Sequence, residues 1–199
     1  MDVTVIVATF GDDYWDFVGD QAVENMHDVY PHVPIRRVHG LSLAAARNEG
    51  AARSDTEWLC FVDADDKLEP GYLEAMEESY ATYEHPQRHP LLAPQVRYDD
   101  GEVVSYETRN IGDMNPCVIG TLVTRQRFDE VGGFWEEPAW EDWSMFRRCW
   151  LIGSPVLHVA GAVYRARGGR TGSGRNIIER PKALRAQILK SHRRWMEHR

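Results

Sequence analysis

The chain has 199 residues, 43% of them apolar, and a formal net charge of −8. That length suits one compact domain or two small intimate halves with a real core, and the negative charge argues against a general nucleic-acid binder. No apolar run approaches the ~18 residues needed to span a bilayer, and no basic stretch precedes the first apolar run, so neither a membrane span nor a signal peptide is expected.

Val3 to Ala8 is a β-branched apolar run and reads as a buried strand. Thr9-Phe10-Gly11-Asp12-Asp13 breaks it. Residues 14–29 then place Trp15, Val18, Ala22 and Met26 at helical spacing, and Pro31 and Pro34 follow. Ile35 to Val38 is a second strand, closed by His39-Gly40. Residues 42–53 form a helix with Ser42 as its N-cap. Trp58 to Val62 is a third strand, nearly all apolar. Apolar strands alternating with helices predict a parallel sheet covered on both faces. Pro70 opens a helix over 70–84, since proline is tolerated in a first turn. Val96 to Tyr98 and Val103 to Tyr106 flank Asp99-Asp100-Gly101, a hairpin signal. Residues 118–124 form a strand, Gly132-Gly133-Phe134 a turn, residues 141–152 a helix ending at Gly153, and Val156 to Arg165 the last strand. Gly168 to Gly174 holds four glycines and reads as a loop. From residue 181 an amphipathic helix sets Leu184, Ile188 and Trp195 on one stripe.

The charge is uneven. Residues 1–35 hold seven carboxylates and no Lys or Arg, whereas residues 177–199 include Lys182, Arg185, Lys190, Arg193 and Arg194. Such a tail suits an acidic partner, at most a peripheral membrane contact, or a helix folded back on the domain, and the last is expected. Cys60, Cys117 and Cys149 are odd in number and widely spaced. They give no disulfide framework or zinc pattern, so a reducing, cytoplasmic setting is expected.

Asp63-Ala64-Asp65-Asp66 directly follows the third strand. At period two Asp63 and Asp65 share a face, where paired carboxylates repel unless a cation joins them. Ligands of open parallel sheets bind beyond the carboxyl ends of the strands. Oxygen donors there suit Mg²⁺ or Mn²⁺, with phosphate oxygens completing the shell. The plainer reading is that these acids cap the next helix and solvate a loop.

Residues 43–73 resemble family 2 glycosyltransferases of the GT-A fold. They run from Leu43-Ala44-Ala45-Ala46-Arg47-Asn48-Glu49-Gly50 through Trp58 to Asp66 and Pro70. Ala8-Thr9-Phe10 is similar to the family's opening strand, Phe128 with Val131 to Phe134 and Glu141-Asp142-Trp143 to its acceptor-side motif, and Val163-Tyr164-Arg165 to its closing strand. The resemblance covers about residues 1–170. It implies an α/β GT-A domain over 1–176, Rossmann-like, with a mostly parallel sheet, helices on both faces and a smaller acceptor-side portion. Residues 1–90 would bind the nucleotide sugar and 91–176 the acceptor and lid, ahead of a basic helix at 177–199. It further implies an inverting transfer from a nucleoside-diphosphate sugar, UDP favoured, to an acceptor hydroxyl, with Mn²⁺ or Mg²⁺ as cofactor. A modified nucleobase is the one nucleic-acid acceptor it would admit.

By the same resemblance Thr9, Phe10, Arg47, Asp63, Ala64, Asp65, Arg165 and Arg167 would bind the donor. Asp63 and Asp65 would hold the metal, with Asp65 as the direct ligand. Asp142 would be the base beside Glu141, and Trp135, Trp140 and Glu141 would face the acceptor. Trp143 is expected in the core. A salt bridge to Asp63 or Asp65 is the alternative for Arg47, and helix-dipole stabilisation the alternative for Glu141 and Asp142. Gly168 to Arg175, with Arg165, Arg167, Arg170 and Arg175, would form a lid over the phosphates or a plain linker. The chain departs from the family twice. Arg37-Val38-His39-Gly40 stands where an acidic turn reads the base, and Arg167 stands where a histidine can reach the metal. Competing readings are a nucleotidyltransferase, for which the Gly- and Lys/Arg-rich loop after the first strand is absent, and a catalytically silent sugar or nucleotide binder on the same fold.

Overall fold

The computed structural model describes residues 1–168 and 181–199. Arg170 and Arg175, with most of the stretch read as a lid, lie outside the described residues.

The described elements begin with β1 (Val3–Phe10), α1 (Asp13–Val29), β2 (Ile35–Gly40), α2 (Leu43–Ala52) and β3 (Trp58–Asp63). β1 runs parallel to β2 on one side and to β3 on the other. Alternation along β1 explains the layering. Ile6 packs against Gly50 of α2, while Thr9, of opposite parity, packs against Gly19 of α1, so the two helices cover opposite faces. Ser42 caps α2 by accepting from the Ala45 amide at 3.0 Å, as predicted.

Next come β4 (Lys67–Leu68), α3 (Tyr72–Ala81), β5 (Leu91–Arg97), β6 (Val103–Val104), β7 (Leu122–Thr124), α4 (Arg125–Glu130), α5 (Glu141–Leu151), β8 (Val156–Arg165) and α6 (Pro181–Glu197). The sheet order is β2-β1-β3-β7-β5-β8-β4, with β6 paired to β5. The longest ladders, β1 with β2 and β3 and β5 with β8, are parallel. β7 is antiparallel to both β3 and β5, joining the two parallel halves.

Several sequence expectations need correction. Pro70 does not open a helix. The chain first pairs as β4 with β8, then turns at Gly71, whose φ of +85° sets the start of α3 at Tyr72. The strand expected over 118–124 is confined to Leu122–Thr124, because Thr121 closes a turn onto Val118. The hairpin forms with Val96 opposite Val104, but its first strand starts at Leu91. The expectation of a mostly parallel sheet holds, with β7 as its antiparallel joint.

Gly120 shows how tightly the halves meet. Its carbonyl accepts from the buried Tyr72 hydroxyl, and a Cβ there would run into the Tyr164 ring. Gly120→Ala is expected to cost about 1–3 kcal/mol through overpacking, read as a lowered midpoint in urea with unchanged slope.

Candidate active site

Three consecutive structural needs account for the Arg47-Asn48-x-Gly50 pattern on α2. Gly50 lets the helix lie against Ile6 of β1. Asn48 donates to the Phe134 carbonyl and accepts its amide, both at 2.8 Å, fixing the turn after Gly133. Arg47 is 2% exposed, and its forked guanidinium donates to Asp63 Oδ1 and to Glu141 Oε1, each at 2.6 Å. Burial works against its charge, but Asp63 and Glu141 together hold the guanidinium above its ordinary range. One buried cation therefore joins the carboxyl end of β3 to the N-terminus of α5.

β3 ends at Asp63, and Ala64 and Asp65 lie in a turn. The period-two argument for a shared face thus stops at Asp63, and the turn instead gathers the acids. Asp66 was not singled out in the sequence. Its carboxylate accepts from the Tyr164 hydroxyl at 2.7 Å and from the Arg167 amide at 2.7 Å. Burial first and Asp63 second push Asp66 up to about 8, against those two hydrogen bonds, and Asp65 adds to the rise. Tyr164 also accepts from the Asp63 amide at 3.3 Å, so the closing strand β8 braces the acidic turn. Arg165 is exposed on β8 opposite Lys67, and Arg167 reaches the turn through its backbone.

The far wall begins at Trp140, a non-glycine residue at φ +61° that caps α5. That left-handed residue turns the chain so that Glu141 and Asp142 occupy the first helical turn. Asn115 donates to Asp142 Oδ2 at 2.8 Å, and its own Oδ1 accepts the Cys117 amide at 3.1 Å. Crowding by protein raises Asp142 to about 7, followed by the Glu141 charge, with Arg47 opposing and Asp63 reinforcing the rise. Asp63, Arg47, Glu141 and Asp142 thus share one electrostatic neighbourhood.

Trp143 is core, donating to the Ile111 carbonyl at 2.9 Å. Trp135 lies under the Arg148 guanidinium, 3.9 Å from ring centre, and meets Trp195 edge-on. Trp140 packs edge-on to Trp143. At the ends of β1 and β2, Phe10, Gly11, His39, Gly40, Leu41, Ala45 and Glu49 line a groove of about 540 Å³. Thr9 is buried beneath it and hydrogen-bonds His39 Nδ1 at 3.0 Å. Phe10 is 41% exposed at the groove.

Among the described residues no three or more His, Cys, Asp or Glu gather as a ready metal site. The acidic turn is nevertheless chemically apt for a hard ion. Burial, with the Asp63 charge behind it, raises Asp66, and a divalent ion would offset the part due to neighbouring carboxylates while sharing its shell with phosphate oxygens.

Residues 20–109 match the family model described as glycosyl transferase family 2. No curated protein matches the sequence. Solved structures do. A crystal structure of S. aureus TarS 1–349 is 13% identical, with a TM-score of 0.58, over 84% of this chain and 60% of that one. TarS 1–349 in complex with UDP-GlcNAc is 13% identical, with a TM-score of 0.64, over 96% of this chain and 66% of that one. TarS 1–349 in complex with UDP is 13% identical, with a TM-score of 0.58, over 96% and 70%. This chain therefore spans less than two thirds of the first two structures. At that identity the likeness shows the fold, which is GT-A. The family match ends before Glu141 and Asp142.

Proposed function

We propose, from the premise that residues 20–109 are a glycosyl transferase family 2 segment, that this chain transfers a sugar from a nucleoside-diphosphate sugar to an acceptor hydroxyl with inversion at the anomeric carbon. The observation that carries this reading is the Arg47 bridge. It ties a donor-side acid, Asp63 at the carboxyl end of β3, to Glu141 of the acceptor-side pair Glu141-Asp142.

The groove beside Phe10 and His39 would take the nucleoside, UDP favoured. Asp63 and Asp65 would hold Mg²⁺ or Mn²⁺ together with the diphosphate. The ion supplies Lewis-acid stabilisation of the leaving group. Arg167, whose backbone amide donates to Asp66, would add positive charge beside the phosphates. Arg47 is fully engaged with carboxylates, so it would hold Asp63 and Glu141 in place, not grip the nucleotide. Asp142, near 7, is matched to accept a proton from a hydroxyl at neutral pH. In one displacement that hydroxyl forms the new glycosidic bond, the bond to the diphosphate breaks, and the proton passes to Asp142. The acceptor would lie against Glu141 and Trp140. Trp135, held by Arg148 and Trp195, supports that wall from behind.

A silent nucleotide-sugar binder is the second reading. The salt bridge on Asp63 favours it, because Arg47 already neutralises that carboxylate. A melting scan with UDP, GDP, CDP and ADP, each with Mn²⁺, combined with a turnover assay on the corresponding sugars, separates the two. UDP with Mn²⁺ is expected to raise the melting temperature by several degrees, which at 100 Kd corresponds to about 2.7 kcal/mol. The transferase reading further requires diphosphate release that is lost in Asp65→Ala. Binding without release supports the silent reading, and no shift with any nucleotide contradicts both.

A further inference from the structure

α6 was read in the sequence as a basic tail, yet its centre is buried polar structure. His192 is fully buried, with Nδ1 2.8 Å from Arg147 Nη1 and Nε2 2.9 Å from Ser144 Oγ. A guanidinium can only donate, so Nδ1 accepts and the ring proton sits on Nε2, where it donates to Ser144. Burial first, then Arg147 and Arg148, depress His192 to about 3, which keeps the ring neutral at ordinary pH. Ser144 donates onward to Glu137 Oε1 at 3.3 Å. A directional chain thus runs from Arg147 through His192 and Ser144 to Glu137. It ends in the residues that lead into the Trp140 turn and deliver Glu141 and Asp142.

The opposite flank is fastened to the same helix. Arg185 of α6 donates to the Asp113 carbonyl at 3.0 Å and to Asp113 Oδ1 at 2.8 Å. Arg147 donates to the Gly112 carbonyl at 3.3 Å. Two residues beyond Asp113, Asn115 holds the Asp142 carboxylate. An exposed ion pair such as Arg185 with Asp113 contributes little by itself. Its significance is where it attaches: both segments flanking Asp142 are tied to α6, and buried His192 lies between them.

We propose that α6 is a clamp that positions Asp142 for catalysis, with His192 as its central positioning residue. The proposal rests on the reading of Asp142 as the base. The groups facing Asp142 are Glu141 on its own helix, Arg47 of α2, Asp63 of β3, and Asn115 and the Cys117 thiol of the preceding loop. None belongs to α6, so the clamp acts by holding those elements against Asp142.

Full-length wild type, His192→Ala, His192→Gln and Ser144→Ala are compared in two measurements. The first is UDP release from UDP-GlcNAc with Mn²⁺. The second is an NMR titration of the Asp142 carboxyl, assigned with Asp142→Asn. His192→Ala and Ser144→Ala are expected to lose kcat about tenfold or more at unchanged donor KM. Their Asp142 midpoint is expected to fall by about one pH unit as the flanking segments loosen and water enters. His192→Gln restores both, because its amide offers an acceptor to Arg147 and a donor to Ser144. Ser144→Ala keeps the helix interface and serves as the test if His192→Ala fails to fold. An unchanged Asp142 midpoint in the folded variants overturns the clamp whatever the turnover. A shifted midpoint in a protein that releases no UDP, wild type included, overturns the transferase reading and with it the catalytic purpose of the clamp, leaving only α6 as what holds the segments around Asp142.

Discussion

Asp142→Asn is expected to abolish sugar transfer while making the folded protein more stable above pH 7. The amide cannot take a proton, and loss of a general base costs roughly 10²–10⁴ in rate. Donor affinity should persist, because Asp63, Asp65 and the Phe10–His39 groove are untouched. The stability gain follows from the raised carboxyl. In the folded chain Asp142 titrates near 7, and in the unfolded chain it titrates in the ordinary carboxylate range. Between those values the folded state holds a proton the unfolded state has released. Stability therefore falls as pH rises through that window, and above it the full penalty of the buried charge remains. Asparagine carries no such penalty, and Asn115 can still donate to its carbonyl oxygen. A gain on the order of 1–2 kcal/mol at pH 8, shrinking towards pH 4, is expected from paired denaturant titrations. A variant that is less stable than wild type at pH 8 would mean that Asp142 is held ionised by contacts stronger than those seen.

Arg47→Ala is the most damaging single change expected. It leaves the Asp63 and Glu141 carboxylates facing each other without the cation that both touch. Breaking a buried pair by removing one partner costs about 3–5 kcal/mol, a large share of a typical domain's stability. Arg47→Lys is a sharper probe. An ammonium is a point charge and cannot hold two carboxylates with a planar fork. It should restore much of the stability but leave Glu141 or Asp63 misplaced, so turnover stays low in a folded protein. Equal recovery of stability and turnover in Arg47→Lys would show that charge alone, not the fork, matters at this position.

Much of the fold was legible because it is written in short-range pattern. The β-branched run at Val3, the apolar run at Trp58 and the helical spacing from Trp15 to Met26 each gave an element within a few residues of its observed span. What failed depended on partners distant in sequence. β4 is two residues long and exists because β8 lies beside it. The mostly parallel sheet was expected, but that β7 runs opposite to β3 is encoded by no local pattern. α4 is a six-residue helix capped by Thr124, too short for a periodic signal.

The site divides the same way. The run at residues 63–66 and Glu141-Asp142 stood out as acids next to predicted element ends. That Arg47 reaches Glu141 across 94 positions is visible only in three dimensions, whereas a salt bridge to Asp63 or Asp65 is foreseeable from their nearness in sequence. Asn115 was missed because it lies in an irregular loop among ordinary polar residues. A clue was present in Asn115-Pro116-Cys117, where the asparagine side chain folds back onto the Cys117 amide. His192 offered none, since one histidine on a basic helix looks solvated until its burial is known.

Donor phosphates and proton acceptor are expected on either side of the Arg47 bridge. A crystal structure with UDP and Mn²⁺ tests this most directly. The diphosphate and the ion are expected against Asp63 and Asp65, with the uridine beside Phe10 and His39 and the Asp142 carboxylate facing the same cleft. A diphosphate bound elsewhere, or an Asp142 walled off from it by protein, would rule out Asp142 as the base for a donor held at Asp63 and Asp65.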